Sequence, residues 1–427
     1  MPNLSLQKTQ TQQEKVLLVV IDFKRDRLTS WPPEEITQEM KALVVACGAH
    51  VIESMTVKLV TPNAGYLIGE GKIQEIIDTC AGKEIDTIIF SYDLKGSQQR
   101  NLEEAIKMKI IDRTQLILDI FARRATSQEG KIQVELAQLQ YLSPRLVGHG
   151  IELSRLGGGI GTMGPGETKL EVDRRRIAEK ITRLRSELKE IAESRTLKRK
   201  KRREKGIPGV SIVGYTSAGK STLLNALTDA HQTTRAGLFT TLDPLARQFT
   251  LPNHQKIVIS DTVGFMHELP HHLIEAFKAT LEEVKHADLL LHVLDISRPQ
   301  FKNYYEAVVS VLKELEAADR STIMVLNKID QIPDKSFLKH VESNFKNAVS
   351  ISAKTGENLP GLLEKIKAML SAVFVEIDVV VPINRMDLVN LAHKEGEVTS
   401  IKYDNDSIHI RASVPANLAG RFESQSE

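Results

Sequence analysis

Val210-Ser211-Ile212-Val213-Gly214-Tyr215-Thr216-Ser217-Ala218-Gly219-Lys220-Ser221-Thr222-Leu223-Leu224-Asn225-Ala226-Leu227 passes from an apolar, strand-like run through a loop of small residues into a helix-like run. Gly214 to Ser221 fits the pattern of a glycine, four variable residues and Gly-Lys-Ser, in the strand–loop–helix setting that the pattern needs. Small residues let successive backbone N–H groups turn inward on an oxyanion, and the helix N-terminus adds its partial positive charge. Gly214, Tyr215, Thr216, Ser217, Ala218, Gly219, Lys220, Ser221 and Thr222 are therefore candidate phosphate-binding residues. Lys220 would neutralise β- and γ-phosphates and the Ser221 hydroxyl would hold Mg²⁺. Taken alone, the segment also reads as a glycine-containing strand–helix turn.

Downstream segments in a fixed order narrow the reading. Asp261 ends the strand-like Lys256-Ile257-Val258-Ile259-Ser260 and opens Asp261-Thr262-Val263-Gly264. Its carboxylate would emerge at the C-terminal edge of a sheet, where open α/β sheets bind ligands. There it would reach Mg²⁺ through a water, with the Gly264 N–H on the γ-phosphate. Between these motifs, Leu238-Phe239-Thr240-Thr241-Leu242-Asp243 supplies the first switch segment. Thr241 is the candidate for a hydroxyl on Mg²⁺ and an N–H on the γ-phosphate. Thr240 is its rival, spacing alone does not separate the two, and Phe239 flanks them.

The base is addressed by Asn327-Lys328-Ile329-Asp330, directly after the strand-like Thr322-Ile323-Met324-Val325-Leu326, and by Ser352-Ala353-Lys354. The Asp330 carboxylate would accept hydrogen bonds from guanine N1–H and its 2-amino group, a donor pair that adenine lacks. Asn327 and the Lys328 stem would support the base, and the Ala353 N–H would meet guanine O6. Together the segments imply a Ras-like phosphate-loop domain that binds GTP and GDP with Mg²⁺ as cofactor.

After DTVG, where many relatives of Ras carry a glutamine that orients the attacking water, stands Phe265. A phenyl ring relays no proton, so no catalytic side chain is assigned and intrinsic hydrolysis is expected to be slow or completed by a partner. His267, His271 and His272 follow. The spacing of the first two would suit a metal on a helix, but no carboxylate or cysteine pattern completes a site and Pro270 interrupts it. Solvated residues of a switch helix are the preferred reading.

The 427 residues have length for two or three domains, and a formal net charge of +2 excludes a strongly polycationic or polyanionic chain. Cys47 and Cys80 are the two cysteines, which points to a reducing cytoplasm and away from a disulfide framework. Met1 to Lys15 is polar and glutamine-rich, without the apolar stretch of a secretion signal, and Val16 to Ile21 is too short to span a bilayer. Strand and helix patterns alternate from about residue 15 to 122, which predicts a small α/β domain with a largely parallel sheet. Gly65 to Lys72 imitates a second phosphate loop, but its first glycine is misplaced and Ile73 stands where Ser or Thr is needed. It reads as a glycine turn opening a helix.

The middle of the chain carries apolar seams. Ile132, Leu136 and Leu139 in one helix, and Ile177, Ile181, Leu184, Leu188 and Ile191 in another, predict an antiparallel coiled-coil hairpin. Leu156 to Glu167 joins them with more glycine than any helix or strand tolerates. It reads either as a linker or as a loop at the tip of a basic hairpin entering an RNA cavity. Arg155, Lys169, Arg174, Arg175 and Arg176 around it favour phosphate contacts. Lys198-Arg199-Lys200-Lys201-Arg202-Arg203 is assigned to RNA contact, ahead of a solvated helix end. The expected division is 15–125, an N-terminal α/β domain; 126–205, the hairpin with its glycine-rich loop; 206–374, the GTPase domain; and 375–427, a small C-terminal domain.

Ile110 to Phe121, Val134 to Leu139, Ser154 to Gly161 and Gly164 to Thr168, with the nucleotide motifs, resemble the HflX family of ribosome-associated GTPases over most of residues 15–375. The resemblance implies a cytoplasmic, monomeric factor that acts without stable membrane insertion and binds the large ribosomal subunit. Its hairpin loop, through Arg155, Gly157, Gly158, Gly159, Gly161, Met163, Lys169 and Arg174 to Arg176, would reach rRNA near the peptidyl-transferase centre. In that family the GTP-bound protein separates stalled or idle ribosomes under stress, and hydrolysis, stimulated by the ribosome, releases it. A hydrophobic residue after DxxG is a family trait, so Phe265 agrees. Ser217, where relatives often carry asparagine, puts potassium stimulation in question, and Met163 stands where they commonly have arginine. The alternatives are a large-subunit assembly GTPase and a GTP-gated ribosome-binding module with little turnover.

Overall fold

The computed structural model describes residues 13–23, 31–148, 165–228, 239, 245–253, 255–267, 273, 277–370 and 374–423. The chain divides into two compact units, residues 1–124 with 134–183, and residues 125–133 with 184–427.

In the first unit, strands and helices alternate as β1 (Lys15–Phe23), α1 (Pro33–Ala46), β2 (His50–Leu59), α2 (Glu70–Ala81), β3 (Thr87–Phe90), α3 (Gly96–Ile106), β4 (Lys109–Ile111) and α4 (Arg113–Arg124). The strands form one sheet in the order β2-β1-β3-β4, every neighbouring pair parallel. Parallel strands need helical crossovers, which the alternation supplies. Leu17, Val19, Ile88, Phe90 and Ile110 pack with Ile73, Ile76 and Leu102 in one core. Gly65 to Lys72 is a turn into α2, as its sequence predicts.

Asp112, between β4 and α4, has no exposed surface. It caps α4 by accepting the Gln115 N–H at 2.8 Å, and it pairs with Arg145 at 3.1 Å. Burial pushes its carboxyl above the ordinary range, against the hydrogen bonds and the arginine. The Arg145 guanidinium also donates to Leu94 O at 2.6 Å and lies 3.4 Å over the Tyr141 ring.

α5 (Gln128–Leu142) and α6 (Pro165–Glu204) are the two seam-bearing helices, the second about 60 Å long at 1.5 Å per residue. Ile132, Leu136, Leu184 and Leu188 are buried, while Leu139, Ile177, Ile181 and Ile191 are half-buried. Lys180 pairs with Glu135 within the first unit, and Arg195 with Glu129 at 2.6 Å within the second. The glycine-rich connection falls on 149–164, outside the described residues.

The second unit holds β5 (Gly209–Gly214), α7 (Lys220–Thr228), β6 (Leu245–Thr250), β7 (Lys256–Asp261), α8 (Lys278–His286), β8 (Leu289–Asp295), α9 (Phe301–Glu314), β9 (Thr322–Asn327), α10 (Lys335–Ser343), β10 (Ala348–Ser350) and α11 (Leu359–Leu370). Its sheet runs β10-β9-β8-β5-β7-β6, parallel except for the β6–β7 pair. β5 and β8 are buried at every position, which explains their largely apolar character. This order brings the C-terminal ends of β5, β7, β8 and β9 to one edge.

The C-terminal segment is β11 (Phe374–Pro382), α12 (Met386–Glu395), β12 (Glu397–Tyr403), β13 (Ser407–Pro415) and α13 (Ala416–Glu423). Its antiparallel sheet, ordered β11-β13-β12, has its own core of Ile377, Val379, Val381, Leu388, Ile408, Ile410 and Phe422. Alternation along β11 and β13 puts Ile377, Val379, Val381, Ile408 and Ile410 on one face and Asp378, with its partners His409 and Arg411, on the other.

Candidate guanine-nucleotide site

The glycine loop leaves β5 and enters α7 at Lys220. Lys220 is buried, and its ammonium donates to the carbonyls of Gly214 at 3.0 Å and Tyr215 at 2.9 Å. Those bonds fold the side chain back over the loop, where a phosphate would meet it. Burial drops its pKa to about 8, opposed by the Asp261 carboxylate. A bound polyphosphate would favour the charged form further.

Ser221 Oγ donates to Asp261 Oδ2 at 2.7 Å, joining the first turn of α7 to the end of β7. A hydroxyl and a buried carboxylate so close are hard oxygen donors of the kind Mg²⁺ takes, so the residues fit the cofactor. Thr262 Oγ1 donates to Ile212 O at 2.8 Å and holds DTVG against β5. Phe265 is buried, its N–H donating to Gly214 O at 3.1 Å and its carbonyl accepting from Thr216 N at 2.7 Å. The phenyl ring is thus withdrawn from solvent, and the backbone of Phe265 bonds to the phosphate loop.

The base side is knitted through Asn327. Its Nδ2 donates to Ala218 O at 2.8 Å and its Oδ1 accepts the Ala353 N–H at 2.9 Å. One amide therefore links the phosphate loop, the end of β9 and the loop after β10. Gly219 has φ +100°, and a Cβ there would lie 2.3 Å from Asn327 Nδ2, so the second glycine of the motif is required twice over. Ser352 Oγ donates to Asp330 Oδ1 at 2.6 Å and orients that carboxylate. Lys328 adopts the left-handed region, φ 69°.

The expected residues from Gly214 to Thr222, Asp261, Gly264, Asn327, Lys328, Asp330 and Ser352 to Lys354 thus converge on one sheet edge. Phe239 is buried with φ 55°. Thr240 and Thr241 lie outside the described residues, as do His271, His272, Arg155, Gly157, Gly158, Gly159, Gly161 and Met163. Lys169 lies in α6. Arg174, Arg175 and Arg176 are exposed there, with Arg175 3.8 Å from Glu179 and Arg176 3.7 Å from Asp173.

Four stretches of the chain match known families. Residues 34–122 match the family described as GTP-binding GTPase N-terminal, and 124–202 the GTP-binding GTPase middle region. Residues 209–328 match the 50S ribosome-binding GTPase family, and 337–424 the HflX C-terminal domain. GTPase HflX of Caldanaerobacter subterraneus is 45% identical over 410 residues, 96% of this chain and 93% of the relative. The chain belongs to the HflX family of GTPases. GTPase HflX of Escherichia coli is 42% identical over 359 residues, 84% of this chain and 83% of that one. A GTP-binding protein of Sulfolobus solfataricus in complex with GDP, a solved structure, is 26% identical, covers 84% of this chain and 99% of its own, and has a TM-score of 0.45. As an HflX-family member the chain binds GTP and hydrolyses it to GDP and phosphate.

Two features of this HflX-family chain escape a motif reading. Asp295, at the end of β8, accepts the Lys328 ammonium on Oδ2 at 2.6 Å and the Ser297 hydroxyl and N–H on Oδ1 at 2.5 and 3.1 Å. The available signal is its place as a carboxylate ending an apolar strand, the position that Asp261 and Asn327 also hold. The second is a revision of the basic run at the end of α6. Arg199 is buried and meets Glu282 at 3.3 Å and Glu283 at 3.8 Å. Arg202 lies 3.9 Å from Glu283, and Arg203 donates to His286 O at 3.1 Å. These arginines fasten α6 to α8, while Lys198, Lys200 and Lys201 of the same run are exposed. Among the described residues no helix is long and apolar enough to cross a membrane.

Proposed function

We propose that the chain is a cytoplasmic, monomeric factor that binds the large ribosomal subunit in its GTP form and separates stalled or idle ribosomes into subunits, with hydrolysis resetting it. The observation that carries this is the pairing of a guanine-nucleotide edge, tied together by Asn327, with a region of the 50S ribosome-binding GTPase family next to a long, exposed basic helix. In this reading Lys220, Gly264 and Thr241 address the phosphates. Ser221 and Thr241 hold Mg²⁺, with Asp261 behind a water; the ion would screen the phosphate charge. Asn327, Lys328, Asp330 and Ala353 take guanine.

Four domains, 15–125, 126–205, 206–374 and 375–427, divide the work. The loop of the second would enter an rRNA cavity near the peptidyl-transferase centre. Arg174, Arg175 and Arg176 would pair with phosphates in place of their exposed carboxylate neighbours, a salt-sensitive interaction. The buried Phe265 leaves water without a side-chain base on the DTVG segment, which supports slow intrinsic turnover and stimulation by the ribosome.

Sedimentation of purified 70S ribosomes tests the proposal. With the protein and a non-hydrolysable GTP analogue, free subunits should appear. Intact 70S peaks with the protein bound would instead favour the GTP-gated module. Binding confined to immature large subunits would favour the assembly factor.

A further inference from the structure

The second residue of the phosphate loop makes contacts that phosphate binding alone does not require. Tyr215 is buried. Its carbonyl accepts from Lys220 Nζ at 2.9 Å, its hydroxyl accepts the backbone N–H of His267 at 3.0 Å, and its ring packs against Tyr304 of α9 with centroids 4.6 Å apart. The backbones of Tyr215 and Phe265 also pair as a parallel bridge, through Phe265 N–H to Gly214 O and Thr216 N–H to Phe265 O. The residues after DTVG are therefore attached to the phosphate loop at two points, one main-chain and one through a phenol.

Between those points and the loop lysine lies Gly264. A Cβ on it would lie 2.8 Å from Thr216 Cγ2, 3.0 Å from Thr216 Cα and 3.1 Å from Lys220 Nζ. The Gly264 backbone therefore sits directly on the loop, beside the ammonium that addresses the terminal phosphate. Its N–H can serve that phosphate only if the chain on both sides is held. On the upstream side Thr262 Oγ1 is fixed to β5 by its bond to Ile212 O. On the downstream side the phenol of Tyr215 restrains the last residue of Gly264-Phe265-Met266-His267, and Tyr304 fixes the phenol by packing against its ring.

We propose that Tyr215 is a positioning residue for γ-phosphate sensing: its hydroxyl holds the start of the second switch so that the Gly264 N–H meets the γ-phosphate of GTP, a group that GDP lacks. The proposal rests on the nucleotide-site reading above. It makes the phosphate loop a part of the switch it triggers, and it gives a specific role to a bulky aromatic in a loop built otherwise of small residues. Tyr304 would carry the same restraint into α9.

Tyr215→Phe keeps the ring and its packing on Tyr304 and removes the hydroxyl alone. Affinities for GDP and for a non-hydrolysable GTP analogue are measured by displacement of a fluorescent guanine nucleotide, with melting temperature as the control for folding. The ratio of analogue to GDP affinity should fall about tenfold, the equivalent of one buried hydrogen bond left unmade. The single-turnover rate should fall with it. An unchanged ratio of analogue to GDP affinity, or an equal loss of both, overturns the proposal. Absence of guanine-nucleotide binding by the wild-type protein would instead defeat the site reading itself.

Discussion

Arg199→Met separates a structural from an RNA-binding role for the basic run. The guanidinium is 3.3 Å from Glu282 Oε2 and 3.8 Å from Glu283 Oε1, and it donates to Thr196 Oγ1 at 3.0 Å. Its side chain is 10% exposed, while those of Glu282 and Glu283 are 31% and 16% exposed. Removing the cation leaves two adjacent carboxylates with Arg202, 3.9 Å from Glu283, as the nearest remaining paired cation on α6. Breaking a buried pair costs about 3–5 kcal/mol. A charged hydrogen bond at a partly exposed site is worth about 1.5–3 kcal/mol. Water still reaches both glutamates, so the lower range applies, about 1.5–2 kcal/mol. Hydrogen exchange of α8 amides such as Leu281 and Val284 should then quicken about ten- to thirtyfold, if they exchange through opening of the α6–α8 contact. Lys200→Ala with Lys201→Ala removes two exposed cations and should leave α8 exchange within about twofold, a change under ~0.5 kcal/mol. Unaltered α8 exchange in Arg199→Met, or equal effects of the two variants, would refute the docking role.

Asp330→Asn should shift preference from GTP towards xanthosine triphosphate in a competitive titration, because the carboxylate oriented by Ser352 is the group that would read the guanine donors. Gly219→Ala would put a methyl 2.3 Å from Asn327 Nδ2 at φ +100°; it should weaken both GDP and GTP analogue about a hundredfold or more, seen by fluorescent-nucleotide binding, with the fold retained by circular dichroism. His292, on β8, stacks on Tyr305, and burial, with Lys220 adding to it, drops its pKa from 6.5 to about 3. The unfolded chain therefore binds a proton that the folded chain refuses between pH 6.5 and 3, and stability falls as pH falls through that window. The slope reaches about 1.4 kcal/mol per pH unit, and His292→Leu should flatten it in denaturant melts between pH 6 and about 4; parallel melts for the two proteins would count against a buried neutral imidazole.

The motif positions are legible in the sequence because each lies at a strand end and has one chemical role. Gly214 to Ser221 follows β5, Asp261 closes β7, and Asn327 to Asp330 follows β9. Alternating apolar runs likewise reveal the parallel first sheet, and the 4-then-3 spacing reveals the two seam helices. What depends on distant partners is not legible. Lys198 to Arg203 reads as a solvated or RNA-facing run until Glu282 and Glu283, some eighty residues later, are brought against Arg199. Asp295 has no motif of its own, and its role emerges only when Lys328 reaches it across neighbouring strands. The unsuitability of Phe265 for proton relay follows from its side-chain chemistry, but its burial and its main-chain bond to Gly214 come from packing.

In the proposed function, the nucleotide edge and the basic helix serve a guanine switch whose chemistry the large ribosomal subunit would complete. Phosphate release from GTP, measured for the purified protein alone and with isolated large subunits at fixed Mg²⁺, tests this most directly. The expected result is slow turnover by the protein alone and stimulation by large subunits of at least about tenfold, lost in Lys220→Ala. Equal turnover with and without subunits, or none in either condition, would contradict it.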